Sequence, residues 1–280
     1  MHRNSKWAQK LLELQDDEGK WGWFHTLSRF CDSPVTTEGA LRRLERLGFT
    51  REDECMRRAL AYMHACLTGE KQLPDRREKR HDWDAFTRLM LAANICRLTD
   101  DDHAANTVAE QWAQVVNAAC AGSEFDQTEY LGAYRRVFGK APLGGRLEDA
   151  VSFYQASLLR KGLTPEAERT WLRHLLQKAD GLYYVYEKRV AEPPERFMSR
   201  EASRYVAALE LLADYKCAGE YLQFAVRWLE SSRLPDGSWD MGPSANDRIF
   251  FPLSDSWRRP ETRIADCTER IGALHAKLTG

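Results

Sequence analysis

The chain has 280 residues, enough for one large domain, with 41 basic and 42 acidic side chains and a formal charge of −1. That balance gives no global pull toward nucleic acid or an anionic membrane. No apolar run reaches the ~18 residues that a membrane-spanning helix needs. Seven cysteines without framework spacing fit a reducing compartment, so a cytoplasmic protein is the expectation.

In chain order, the spacing predicts amphipathic or buried helices almost throughout. Trp7, Leu11 and Leu14 mark the first. Residues 36–47 form the second, ended by Gly48. Met56, Leu60, Met63 and Leu67 fall on one face of the third. Residues 86–98 are apolar nearly all round, as in a helix buried on most sides. A fifth covers 108–120, and 127–162 holds either one long helix or a pair, broken around Gly139, Pro142, Gly144 and Gly145. Pro165 opens the helix that carries Trp171, Leu172, Leu175 and Leu176. Residues 199–215, 221–229 and 261–274 complete the set, and no sustained period-2 alternation points to strands.

Three stretches repeat one degenerate pattern: Gln15 to Trp21, Gln177 to Tyr183, and Arg233 to Trp239. Each reads Gln/Arg-x-x-Asp/Glu-Gly-x-Trp/Tyr. The second and third glycines are 56 residues apart, and the first and second 162, three times 54. A period in the fifties signals stacked helical hairpins, because one hairpin cannot bury its own apolar face. Gly69 and Gly122 fit the spacing as worn copies of the turn.

At these residues, and at Val35-Thr36-Thr37-Glu38-Gly39-Ala40-Leu41, the chain resembles the α/α-toroid repeat of the squalene cyclase and protein prenyltransferase superfamily. The resemblance implies an all-α fold with a single domain over 1–280. About five to six hairpins would place inner helices around a central cavity that holds a small-molecule ligand. It says little of chemistry, since one fold hosts many functions.

Terpenoid cyclases of this superfamily protonate an alkene through a D-x-D-D acid; here Thr99 precedes Asp100-Asp101-Asp102, a run that also suits a helix N-terminus. Protein prenyltransferases hold zinc through a D-x-C pair and a His, and work with a helical partner. Here the same residue types occur as His25, Cys31 and Asp32, and as Asp266, Cys267 and His275, without that spacing. His81 could contribute across a ring. No cofactor is expected, zinc being the one considered, and nothing marks a surface for a protein partner.

The candidate acids are Asp240, Asp255 and Asp266. The candidate ligand walls are Trp21, Trp23, His25, Tyr184, Trp239 and Trp257, with Arg258 and Arg263 as anion partners. Aromatic faces suit prenyl chains and cations. Arg263, Asp266 and Arg270 share one helix face, which either charges a cavity or ties helices together. The basic loop 71–80 has interspersed acids and reads as a solvated linker or a pyrophosphate contact. The leading expectation is a cyclase- or prenyltransferase-like protein acting on an apolar or prenyl-bearing molecule. A non-catalytic toroidal scaffold, or an enzyme using the charged face on a polar substrate, are the alternatives.

Overall fold

In a computed structural model of the protein, residues 2–25, 33–77, 82–143 and 147–280 are described. Among them are twelve α-helices and no strand, only an isolated antiparallel bridge between Leu182 and Tyr186. The helices are α1 Lys6–Leu14, α2 Thr37–Arg46, α3 Glu54–Thr68, α4 Trp83–Leu98, α5 His103–Ala119 and α6 Gln127–Phe138. They continue as α7 Leu147–Leu158, α8 Pro165–Gln177, α9 Arg200–Leu212, α10 Ala218–Tyr221, α11 Gln223–Ser231 and α12 Pro260–Thr279. No helix among the described residues is long and apolar enough to cross a membrane.

Local chemistry sets these boundaries. Side-chain oxygens of Ser5, Thr36, Asp82, Asp126, Thr164 and Ser199 each accept a backbone N–H from the first turn of the following helix. Gly69 and Gly139 end α3 and α6 in the left-handed region, where a side chain would be strained. The stretch left open at 127–162 resolves into two helices, α6 and α7.

The chain divides into two compact units. The first holds residues 1–109 with Leu253–Asp255; the second holds 110–252 and 256–280. In the first, α1 packs on α2 and α3 on α4. Helix α4 is buried without interruption from Leu89 to Ile95, whereas α1 buries only Ala8 and Leu11. In the second unit, α9 packs on α7 and α12, and α12 also receives α10 and α11. Described residues 152–158 of α7 are all buried, including Ser152, Gln155 and Ser157. Burial rises from α1 to α2 and from α3 to α4, as the periodicity predicts, but the alternation does not hold throughout: α6 buries only Tyr130, Ala133 and Tyr134, α8 is enclosed much as α9 is, and most of α12 lies outside the core.

The repeated turn forms twice with the same hydrogen bonds. At the first, Gly19 takes φ +91°, its N–H donates to Asp16 O, and Gln15 Nε2 donates to Gly19 O at 2.9 Å. At the third, Gly237 takes φ +89°, its N–H donates to Leu234 O, and Arg233 Nε donates to Gly237 O at 2.7 Å. Arginine Nε and glutamine Nε2 lie the same number of bonds from Cα, so Arg233 reaches the carbonyl as Gln15 does. The rest of its guanidinium lies 4.8 Å from the Trp239 ring centroid.

Trp21 and Trp239 then behave alike. Their indole N–H groups donate to Leu11 O at 2.6 Å and Leu229 O at 2.8 Å. Their backbone N–H groups donate to the hydroxyls of Thr37 and Thr268. The middle copy departs from this. Gly181 has φ +63°, but Tyr183 is 43% exposed and its N–H donates to Ser152 Oγ on α7, upstream of the turn, rather than to a hydroxyl on the helix that follows. Gly122 does not adopt positive φ. Its carbonyl accepts from Thr170 Oγ1, so spacing alone misplaced a copy of the turn there.

Candidate functional site

The most tightly constructed polar cluster lies in the first unit, where residues 21–25 meet the start of α2. Two N–H groups of the first turn of α2, which have no partner within a helix, donate outward: Thr37 N to Trp23 O at 2.9 Å and Glu38 N to Phe24 O at 3.1 Å. Thr37 Oγ1 accepts from Trp21 N at 2.9 Å and donates to Trp21 O at 3.3 Å. From the segment between α3 and α4, Asp75 accepts from Phe24 N at 2.6 Å and from His25 N at 2.9 Å. Six hydrogen bonds therefore fix the backbone that carries His25.

The side chains converge from three elements. His25 Nδ1 lies 3.4 Å from Glu38 Oε2, and the imidazole meets Phe86 of α4 edge-on at 5.6 Å. Trp83 lies 5.8 Å beyond Phe86. Asn94 of α4 directs Nδ2 at Glu38 Oε1, 3.5 Å away, and donates to Met90 O at 2.9 Å. Arg42, one turn along α2, stands 3.7 Å from Glu38 Oε2. Glu38 is 2% exposed and His25 19%, so a buried carboxylate backs an imidazole that reaches solvent. A carboxylate accepting from Nδ1–H leaves the lone pair on Nε2, the tautomer suited to taking a proton.

The candidate residues near the C-terminus assemble a second polar network. Arg263 grips Asp240 with two parallel bonds of 2.7 Å, Nε to Oδ1 and Nη2 to Oδ2. Gly242 N adds a third, and the guanidinium holds the Asp240 carboxyl below the usual carboxylate range. Asp266, 2% exposed, accepts from Trp257 Nε1 at 2.6 Å, and the Trp257 ring lies tilted against Phe251 at 4.8 Å. Arg270 pairs with Glu210 of α9 through 2.8 and 2.9 Å bonds, with its guanidinium over Phe250 and Phe251. The shared face of Arg263, Asp266 and Arg270 is therefore occupied by this chain's own acids and indole.

The remaining candidates are spread out. Asp255 is exposed and accepts from Lys6 N at 2.7 Å, at the start of α1. Arg258 is exposed, Trp23 is half-buried, and Tyr184 packs among Phe153, Tyr154 and Tyr183. Trp21 and Trp239 are enclosed at 0% and 3% exposure. Asp102 caps α5 through Ala105 N and pairs with His64 at 2.8 Å, while Asp101 pairs with Arg51. Cys31, Asp32, His81, Gly144, Gly145 and part of the basic loop, 78–80, lie outside the described residues. Among the described residues no three His, Cys, Asp or Glu side chains are grouped to hold a metal ion. The Cys267 thiol accepts from Met241 N, and burial pushes it up to about 12.

Glu38, Asn94 and Asp75 are absent from the sequence-derived candidates. Asn94 carried a signal, as one of four polar residues in the otherwise apolar 86–98 run. Glu38 stood inside the stretch that resembles an inner helix. No protein-family model matches this chain, and neither a curated protein nor a solved structure is significantly similar to it.

Proposed function

We propose that the chain is a divergent α/α toroid of the squalene cyclase and protein prenyltransferase type. In this reading it is an acid–base enzyme acting on a small molecule with an apolar, isoprenoid-like body, and Glu38 and His25 are the proton-handling pair. The observation that carries the reading is the 2%-exposed Glu38 carboxylate beside the part-exposed His25 imidazole, flanked by the rings of Phe86 and Trp83. A positioned acid–base pair contributes about 10²- to 10⁴-fold to a proton transfer, and aromatic walls accommodate isoprenoid chains and developing positive charge. The ring reading is supported by the recurring turn and by the enclosed helices α4 and α7. Arg263 and Arg270 spend their donors on Asp240 and Glu210, which favours placing the chemistry in the first unit.

The direct test is mass spectrometry of small molecules retained by the protein from native cell extract, followed by turnover of the compound found. Conversion should fall at least 100-fold in Glu38→Gln and in His25→Asn. Retention of polar metabolites alone, or full turnover in both variants, would refute the assignment.

A further inference from the structure

The acid–base pair has a neighbour whose hydrogen bonding is incomplete. Asn94 is 1% exposed, and its side-chain oxygen has no hydrogen-bond partner. The amide cannot simply be turned over. Its nitrogen faces two acceptors, Met90 O at 2.9 Å and Glu38 Oε1 at 3.5 Å, and an oxygen in that position would repel both. The orientation is therefore fixed, and a buried acceptor stands open. The two ends of an amide are only about 2.2 Å apart, so a group bound to Asn94 Oδ1 lies beside the Glu38 carboxylate.

Leaving a buried acceptor unsatisfied is costly, which suits a position completed by something that binds. Arg42 already places a cation 3.7 Å from Glu38. A neutral donor fits such a site better than an ammonium, which would add a second positive charge. Resting on the function proposed above, we propose that Asn94 is a specificity-determining residue that accepts a hydrogen bond from a substrate hydroxyl. The ligand is then an isoprenoid-like alcohol rather than a pure hydrocarbon. A site made to bond a hydroxyl discriminates strongly against the analogue lacking it, because the protein's own polar atom is left unpaired.

The test compares two probes of equal size: farnesol, and the hydrocarbon in which a methyl group replaces its hydroxyl. Their affinities are read by quenching of tryptophan fluorescence in the full-length protein. The alcohol should bind at least tenfold more tightly, and the isosteric Asn94→Leu variant should shrink that gap below threefold while keeping its helical circular dichroism. The wild-type ratio alone decides the matter if Asn94→Leu does not fold. Equal binding of the two probes overturns the role of Asn94, its oxygen then being met by water, and leaves the apolar-substrate reading standing. Binding of neither probe overturns both.

Discussion

The fork-to-fork contact of Arg263 with Asp240 sets how the second unit answers to acid. Asp240 has a folded-state pKa below its ordinary value, mainly through the Arg263 guanidinium. Its contribution is therefore complete above about pH 4 and is lost as the pH falls through the lower, folded value. Asp240→Asn should cost about 2 kcal/mol in chemical denaturation at pH 7, and the gap from wild type should close as the pH falls through the lowered, folded-state value. A gap that persisted there would mean packing rather than charge was lost. In the first unit, Asp75→Ala strips the acceptor from Phe24 N and His25 N. It should lower stability by about 2–3 kcal/mol and reduce kcat for any identified substrate more than it raises KM, since it displaces His25 without touching the ligand. His25 was legible because it follows the aromatic turn. Its partners were not: Asp75, Glu38 and Asn94 come from three elements, and only tertiary packing brings their side chains together.

For the elements, the turn glycines separate two costs, a left-handed backbone and a lack of space. At Gly69, φ is +85° and nothing lies within 4 Å of an added Cβ, so Gly69→Ala should cost about 1 kcal/mol. At Gly19 the Cβ would meet Arg58 O at 2.5 Å, and at Gly181 it would meet Lys188 O at 2.2 Å. Those two substitutions should each cost more than about 3 kcal/mol, and equal thermal shifts across the three would contradict the packing described. Arg233→Gln should keep the bond to Gly237 O and lose only the contact with Trp239, about 0.5–1 kcal/mol; Arg233→Met should lose both. Helix positions were readable because burial follows the 3.6-residue period, as in the unbroken buried run of α4. The turns were readable where a left-handed glycine and an enclosed tryptophan coincide. Gly122 was not, because a glycine at the right interval carries no information on φ.

At the scale of the whole chain, residues far apart in sequence complete single units. Leu253–Asp255 belongs with the N-terminal unit, where Asp255 accepts from Lys6 N and Ser254 O accepts from Trp7 Nε1 at 3.0 Å. Asp255→Ala should therefore speed amide exchange in α1, by roughly fivefold for a loss of about 1 kcal/mol, and leave α9 and α12 unchanged. Uniform acceleration would argue against the division into units. The pairing of Gln15 with Arg233 reaches further. What the turn requires at that position is a donor nitrogen held at a fixed reach from the main chain, whatever the charge or shape of the atoms beyond it. Within this chain the letter changes while the stereochemistry is preserved, so its two turns are alike in bond geometry where they differ in spelling. A comparison that weighs side chains by where their donors fall would trace such repeats after residue identity has faded.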